Sequence, residues 1–128
     1  ACDLSDSNLA RCNFARADLR GARIQSANLE QANFDKADLR VGGFSKNGMY
    51  DTGESVSFRG ANLSGARLVG SLANAADFSD AIMTGINMAG ADLRNAEMQG
   101  ADLSGAQMAG TKLKGARMKA TILTGLNM

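Results

Sequence analysis

Large apolar residues return at every fifth position along almost the whole chain. From Leu4 the steps fall on Leu9, Phe14, Leu19, Ile24, Leu29, Phe34, Leu39, Phe44 and Met49. A second run begins at Phe58 and passes through Leu63, Leu68, Ala73, Phe78, Met83, Met88, Leu93, Met98, Leu103, Met108, Leu113, Met118, Leu123 and Met128, with Ala73 its one small member. Two positions before a centre the residue is usually tiny: Ala in most pentads, and Cys2, Ser7, Cys12, Ser71, Thr111 or Thr121 in others. A polar residue, commonly Asp or Asn, stands between this slot and the centre. Gly often stands two positions after the centre, as at Gly21, Gly60, Gly85 and Gly100. A period of five fits neither a helix nor a long strand, so each pentad predicts a short extended piece followed by a corner. One large and one tiny inward side chain per pentad describe a narrow, filled tube.

Composition sharpens this picture. The 128 residues suffice for one domain spanning 1–128, and 15 Gly with no Pro, Trp or His do not suit a mixed core of helices and aromatics. A balance of 14 Lys and Arg against 13 Asp and Glu gives +1, which argues against a general polyanion binder and against a strongly acidic protein. No apolar run approaches the roughly 20 residues of a membrane helix, and no basic-then-apolar leader is present, so no membrane partner is expected. The sequence begins at Ala1 and ends on Met128 inside the repeat, which suggests a segment of a longer chain. Cys2 and Cys12 are too few for a disulfide framework, and free thiols in a reducing, cytoplasmic setting are expected.

Stretches such as Ala17-Asp18-Leu19-Arg20-Gly21, Ala91-Asp92-Leu93-Arg94-Asn95 and Ala101-Asp102-Leu103-Ser104-Gly105 resemble the motif of the pentapeptide-repeat family, and the resemblance covers nearly the whole chain. It implies an all-β fold: a right-handed quadrilateral β-helix with four pentads per coil. About six coils at roughly 4.8 Å each give a rod about 30 Å long. The break in phase between Phe44 and Phe58 predicts one inserted loop at about 45–57. Taking four residues there as extra places Phe14, Phe34, Phe58 and Phe78 in a single core column. No capping helix is evident at either terminus, so an exposed last coil predicts either a continuing chain or an end-to-end homodimer.

Little in the chain supports catalysis. With no His, neither a Ser-His nor a Cys-His pair can be built, and two separated Cys do not complete a zinc site, so no enzyme, metal or cofactor is expected. Asp18 and Asp38 fall 20 residues apart on one face, but Arg20 and Arg40 stack beside them, which reads as a charge-balanced solvated face. The Met centres from Met83 to Met128 occupy core register, where Met fills irregular gaps. Two clusters remain as candidate partner sites. One is the loop carrying Lys46, Asn47, Met49, Tyr50, Asp51 and Glu54, which departs from the repeat and holds the one Tyr. The other is a basic patch of Lys112, Lys114, Arg117 and Lys119, beyond the last acid, Asp102. No exposed aromatic platform accompanies it, which disfavours nucleic acid.

The leading expectation is a non-enzymatic protein–protein interaction scaffold with a protein partner. The resemblance implies bacteria as the richest source. It also raises a second reading, a DNA-mimicking modulator of gyrase, which the near-zero charge and interrupting arginines disfavour. A third is a spacer or recognition arm of a larger signalling or effector protein.

Overall fold

The computed structural model describes residues 3–19, 22, 24–39 and 56–125. Each pentad there contributes one β-bridge residue, the usually polar one between slot and centre, and its partner lies in parallel orientation one coil away. Among the described residues no strand exceeds a single bridge, so the sheet consists of isolated parallel bridges stacked into ladders. The ladder offset is 20 residues, as in Asn8 to Asn28 and Ser57 to Asp77. Among the described residues, coils 1 and 2 comprise 3–19 and 22 with 24–39, and coils 3 to 6 comprise 56–75, 76–95, 96–115 and 116–125. Four ladder columns result. Column 1 runs through Asp3, Ser57, Asp77, Glu97 and Arg117; column 2 through Asn8, Asn28, Asn62, Ile82, Asp102 and Ile122. Column 3 holds Asn13, Asn33, Arg67, Asn87 and Gln107, and column 4 holds Asp18, Asp38, Leu72, Asp92 and Lys112.

The reason for a five-residue unit is visible in where its five backbone N–H groups go. In the pentad 61–65, Ala61 closes a turn onto the Phe58 carbonyl (2.9 Å), and Asn62 donates back to Ala27 (3.0 Å). Leu63 and Gly65 donate forward to Ile82 (2.6 Å) and Thr84 (2.9 Å). The remaining donor, Ser64 N–H, reaches the Asn62 side-chain Oδ1 at 3.1 Å. Every donor is thereby satisfied, the condition a buried backbone must meet. The preference for Asp and Asn follows, because their short side-chain oxygen reaches the N–H two residues on. The same bond recurs from Asp35 to Asn33, Ser79 to Asp77 and Ala89 to Asn87. Where Arg67 replaces Asn, Val69 N–H donates instead to Asp35 Oδ1 of the coil before, at 3.1 Å.

The core is the continuous stack of centres and slots, with Phe34, Phe58, Phe78, Leu63, Met83 and Met88 all fully buried. Two slots carry larger residues than the pattern expects: Val56 and Ile86, each 0 % exposed. At the ends the tube opens. Leu4, Leu9, Phe14, Leu113 and Met118 are partly buried, and Leu123 is 44 % exposed.

The four phenylalanines do not form the single column expected. Phe14 and Phe34 stack in column 3 with centroids 5.0 Å apart, whereas Phe58 and Phe78 stack in column 1 at 4.9 Å. Phe34 N–H pairs with the Arg67 carbonyl, so its ladder neighbour is Leu68. The cause is the offset across residues 40–55, which is 34 residues, as in Asn28 to Asn62. Four extra residues between Phe34 and Phe58 would have preserved one column. An offset of 34 instead returns the chain to column 1 after column 4, and Phe58 meets Phe34 across the tube in an edge-to-face contact at 5.6 Å and 90°. Within the expected loop bounds, Ser57 already bridges Asp77 and Val56 is buried. The loop residues Lys46, Asn47, Met49, Tyr50, Asp51 and Glu54 lie outside the described residues, as do Cys2, Arg20, Arg40, Phe44 and Met128.

The corner residue two positions after each centre has positive φ, as the third residue of a type II turn requires. In coils 1 and 2 all six described corners are non-glycine: Asp6, Arg11, Arg16, Ser26, Gln31 and Lys36. In coils 3 to 6 only four of fourteen are, Ala75, Asp80, Asn95 and Ala120. A side chain in this region costs about 1–2 kcal/mol, partly offset by the backbone entropy that Gly loses on folding. Strain is therefore concentrated in the first two coils. Lys36→Gly is expected to stabilise the protein by roughly 0.5–1 kcal/mol in urea unfolding, and Gly65→Ala to destabilise it by about as much. Amide exchange should be faster in coils 1 and 2 than in coils 3 to 5. Equal protection throughout would refute the strain gradient.

Candidate functional site

Outward positions are the bridge residues and the corners, and they are not equivalent around the tube. Of the twelve charged residues between 56 and 125, ten lie on columns 4 and 1 and their corners, while Arg67 and Asp102 alone fall on columns 2 and 3. The corners of columns 2 and 3 are instead built from Ser64, Thr84, Ser104 and Thr124 and from Val69, Ala89 and Ala109, with exposed Ile82 and Ile122 nearby. In coils 3 to 6 one side of the rod thus carries most of the charge, whereas in coils 1 and 2 Arg11, Arg16, Glu30, Asp35 and Lys36 stand on the corners of columns 2 and 3.

The charged side contains the expected basic patch. Lys112 and Lys114 stand on column 4 and its corner, Arg117 and Lys119 on column 1 and its corner, so the four flank one edge of coils 5 and 6. Arg117 pairs loosely with Glu97, Nε to Oε1 3.6 Å, with its side chain 70 % exposed. Such an exposed pair contributes little to stability. Below Lys112 lies Asp92, whose side chain is only 10 % exposed and which accepts from Arg94 Nε at 2.8 Å and Nη2 at 2.7 Å. The side-chain hydrogen bond from Arg94 holds the Asp92 carboxyl below the usual carboxylate range, against the opposing effect of burial, and the Lys112 charge adds to it. Asp102 is lowered as well, first by the Ser104 hydroxyl (2.6 Å) and then by the Ser104 N–H.

A groove of about 520 Å³ lies beside the patch along the corner of column 1. Its lining includes Arg59, Asp77, Asp80, Glu97, Gln99 and Lys119. Of these, only Lys119 belongs to the basic patch read from the sequence. Its neighbours could have been found by aligning residues 20 apart, since Arg59, Ser79, Gln99 and Lys119 follow at that interval. Gly100, with φ +72°, permits the Asp80 carboxylate to lie over its backbone, where a Cβ would collide with it.

The remaining candidates fall elsewhere. Asp18 and Asp38 bridge each other as expected. Cys12 is a half-buried free thiol in a slot position. Among the described residues no group of three or more Asp, Glu or Cys is placed to hold a metal ion, and no helix is long and apolar enough to cross a membrane.

A family model described as Pentapeptide repeats matches this chain in eight copies, over residues 2–40, 54–90, 74–108 and 86–125. Similar solved structures carry the same repeat. A pentapeptide repeat protein from the Arabidopsis thaliana thylakoid lumen is 27% identical, covering 98% of this chain and 70% of its own, with a TM-score of 0.55. Rfr23 from the cyanobacterium Cyanothece 51142 is 28% identical over 98% of this chain and 83% of its own, with a TM-score of 0.53. HetL from Nostoc, described as involved in heterocyst differentiation regulation, is 29% identical over 97% of this chain and 58% of its own, at a TM-score of 0.36. No curated protein matches the chain.

Asp92 and Asp102 generate a pH prediction. A carboxyl whose folded pKa is lowered stabilises the fold above its unfolded pKa, about 3.9, and this stabilisation is lost as pH falls through the lower folded value. Urea midpoints should therefore decline once pH drops below about 4. The decline should be shallower in an Asp92→Asn, Asp102→Asn variant; an identical decline would assign it to other carboxylates.

Proposed function

Since the chain belongs to the pentapeptide-repeat family, we propose that it is a non-enzymatic protein–protein interaction scaffold, and that its right-handed quadrilateral solenoid of about six coils, four pentads each, presents the charged side to a protein partner. The observation that carries this reading is the segregation of charge onto columns 4 and 1 in coils 3 to 6. Repeats specify the inward residues, whereas nothing in the repeat demands that outward charge collect on one side. Lys112, Lys114 and Lys119, together with Arg117, supply a positive contact edge on coils 5 and 6, tied to the coil before through Lys112 N–H to Ala91 and Arg117 N–H to Ala96. A rigid platform loses little entropy when it binds. In this reading the inserted segment before Val56, with Tyr50, is a second contact on the same scaffold.

Mimicry of DNA draws no comparable support. It needs a continuous acidic strip, and column 4 passes from Asp18 and Asp38 through Leu72 to Asp92 and Lys112.

Affinity capture from a lysate of the source organism tests the scaffold reading. The intact chain is compared with Lys112→Gln, Lys114→Gln, Lys119→Gln and with a variant whose residues 46–54 are replaced by a short linker. A specific protein retained by the intact chain and reduced about tenfold by the triple substitution is expected, as for the loss of several exposed charge pairs. Capture of no specific protein, or of one indifferent to both changes, overturns it.

A further inference from the structure

The groove on column 1 has a charge order along the rod axis that selects a partner segment. Arg59 and Lys119 stand at its two ends, in the same corner ladder, linked through Gly60 to Ser79, Asp80 to Gln99 and Gly100 to Lys119. They are three coils apart, or roughly 14 Å at about 4.8 Å per coil. Between them lie Asp77, Asp80 and Glu97, so the sequence of charge is positive, negative, positive. Asp77 and Glu97 are bridge partners in adjacent coils, and Asp80 stands at the corner beside them, over Gly100. Ser79 and Gln99 line the same wall with hydrogen-bonding side chains.

An extended peptide turns alternate side chains to one side. Residues i and i+4 of such a strand are about 13–14 Å apart, with residue i+2 midway. This matches the three-coil rise between the two cationic residues, and the midpoint falls between coils 4 and 5, which carry the three carboxylates that line the groove. We propose that this groove seats an extended peptide segment whose side chains at i, i+2 and i+4 are acidic, basic and acidic, running along the rod axis. The assignment rests on the scaffold reading and names the chemistry of the bound segment. Glu97 is already shared with Arg117 at 3.6 Å and with Gln99 at 3.5 Å, so Asp77 and Asp80 are the main seats for the incoming cation.

Two synthetic peptides serve as probes, capped Thr-Glu-Thr-Lys-Thr-Glu-Thr and its charge-swapped counterpart Thr-Lys-Thr-Glu-Thr-Lys-Thr, titrated against the full chain at low salt by NMR and calorimetry. The first should bind and shift the amides of residues 77–80 and 97–100, and the second should bind at least about tenfold more weakly. Arg59→Gln with Lys119→Gln, and separately Asp77→Asn with Asp80→Asn, should each weaken the first peptide by about tenfold. Asp80→Asn alone keeps the Asp77 turn bond to Ser79 intact, and a circular dichroism spectrum like that of the parent chain shows that a variant has folded. Equal binding of the two peptides, or binding of neither at millimolar concentration, overturns the groove assignment. If the peptides fail while the Lys112, Lys114, Lys119 variant still loses a captured protein, the groove falls and the scaffold stands. Should capture fail as well, both fall.

Discussion

The structure depends on one constraint: every backbone N–H of a five-residue unit must find an acceptor, and only one of the five is supplied by a side chain. Two donors reach the next coil, one reaches the previous coil, one closes a turn, and the last turns inward to the Asp or Asn of its own pentad. This arrangement dictates the residue types. The centre must be apolar because it points into the tube, the slot must be small because the tube is narrow, and the polar position favours a short oxygen-bearing side chain. Coil stacking then follows without further instruction, since each pentad presents to its neighbour the same donors and acceptors that it receives.

Function has to be written in what that constraint leaves free. The bridge side chains and the two corner positions face solvent, and these vary between pentads with little effect on the ladder. Charge has collected there on one side of coils 3 to 6, and within that side the acids lie in coils 4 and 5, with Arg59 before them in coil 3 and four bases gathered in coils 5 and 6. The bidentate Asp92–Arg94 pair and the Asp102–Ser104 bond belong to the scaffold rather than to recognition, because each closes within its own pentad.

Much of this was legible in the amino-acid sequence. The five-residue period named the centres from Leu4 to Leu39 and from Phe58 to Leu123 and most of the slots, and the family resemblance supplied the coil. The phase after residue 55 was not legible, because counting apolar positions cannot say how many pentads leave the ladder. Phe58 therefore landed opposite Phe34 instead of above it. Val56 and Ile86 were passed over as slots because they are not small, yet both are buried. The basic patch was visible as a cluster in the sequence. The groove was not, since Arg59, Asp80 and Lys119 are far apart in the chain and are brought together only when residues 20 apart are aligned coil on coil.

The inter-coil backbone hydrogen bonds run along the long axis of the rod, each joining a residue to the one just before its counterpart in the adjacent coil. Tension applied at the two termini would thus load the coil interfaces one at a time, like the teeth of a zip, and not in parallel as in a sheared hairpin pair. The first coils to yield would be those with strained corners, near Arg11 and Arg16. A molecule of this kind is stiff under compression, where its filled core and cross-tube phenyl contact resist, and compliant under pulling. That directional difference suits a strut that is pressed between partners better than a tether that is drawn between them.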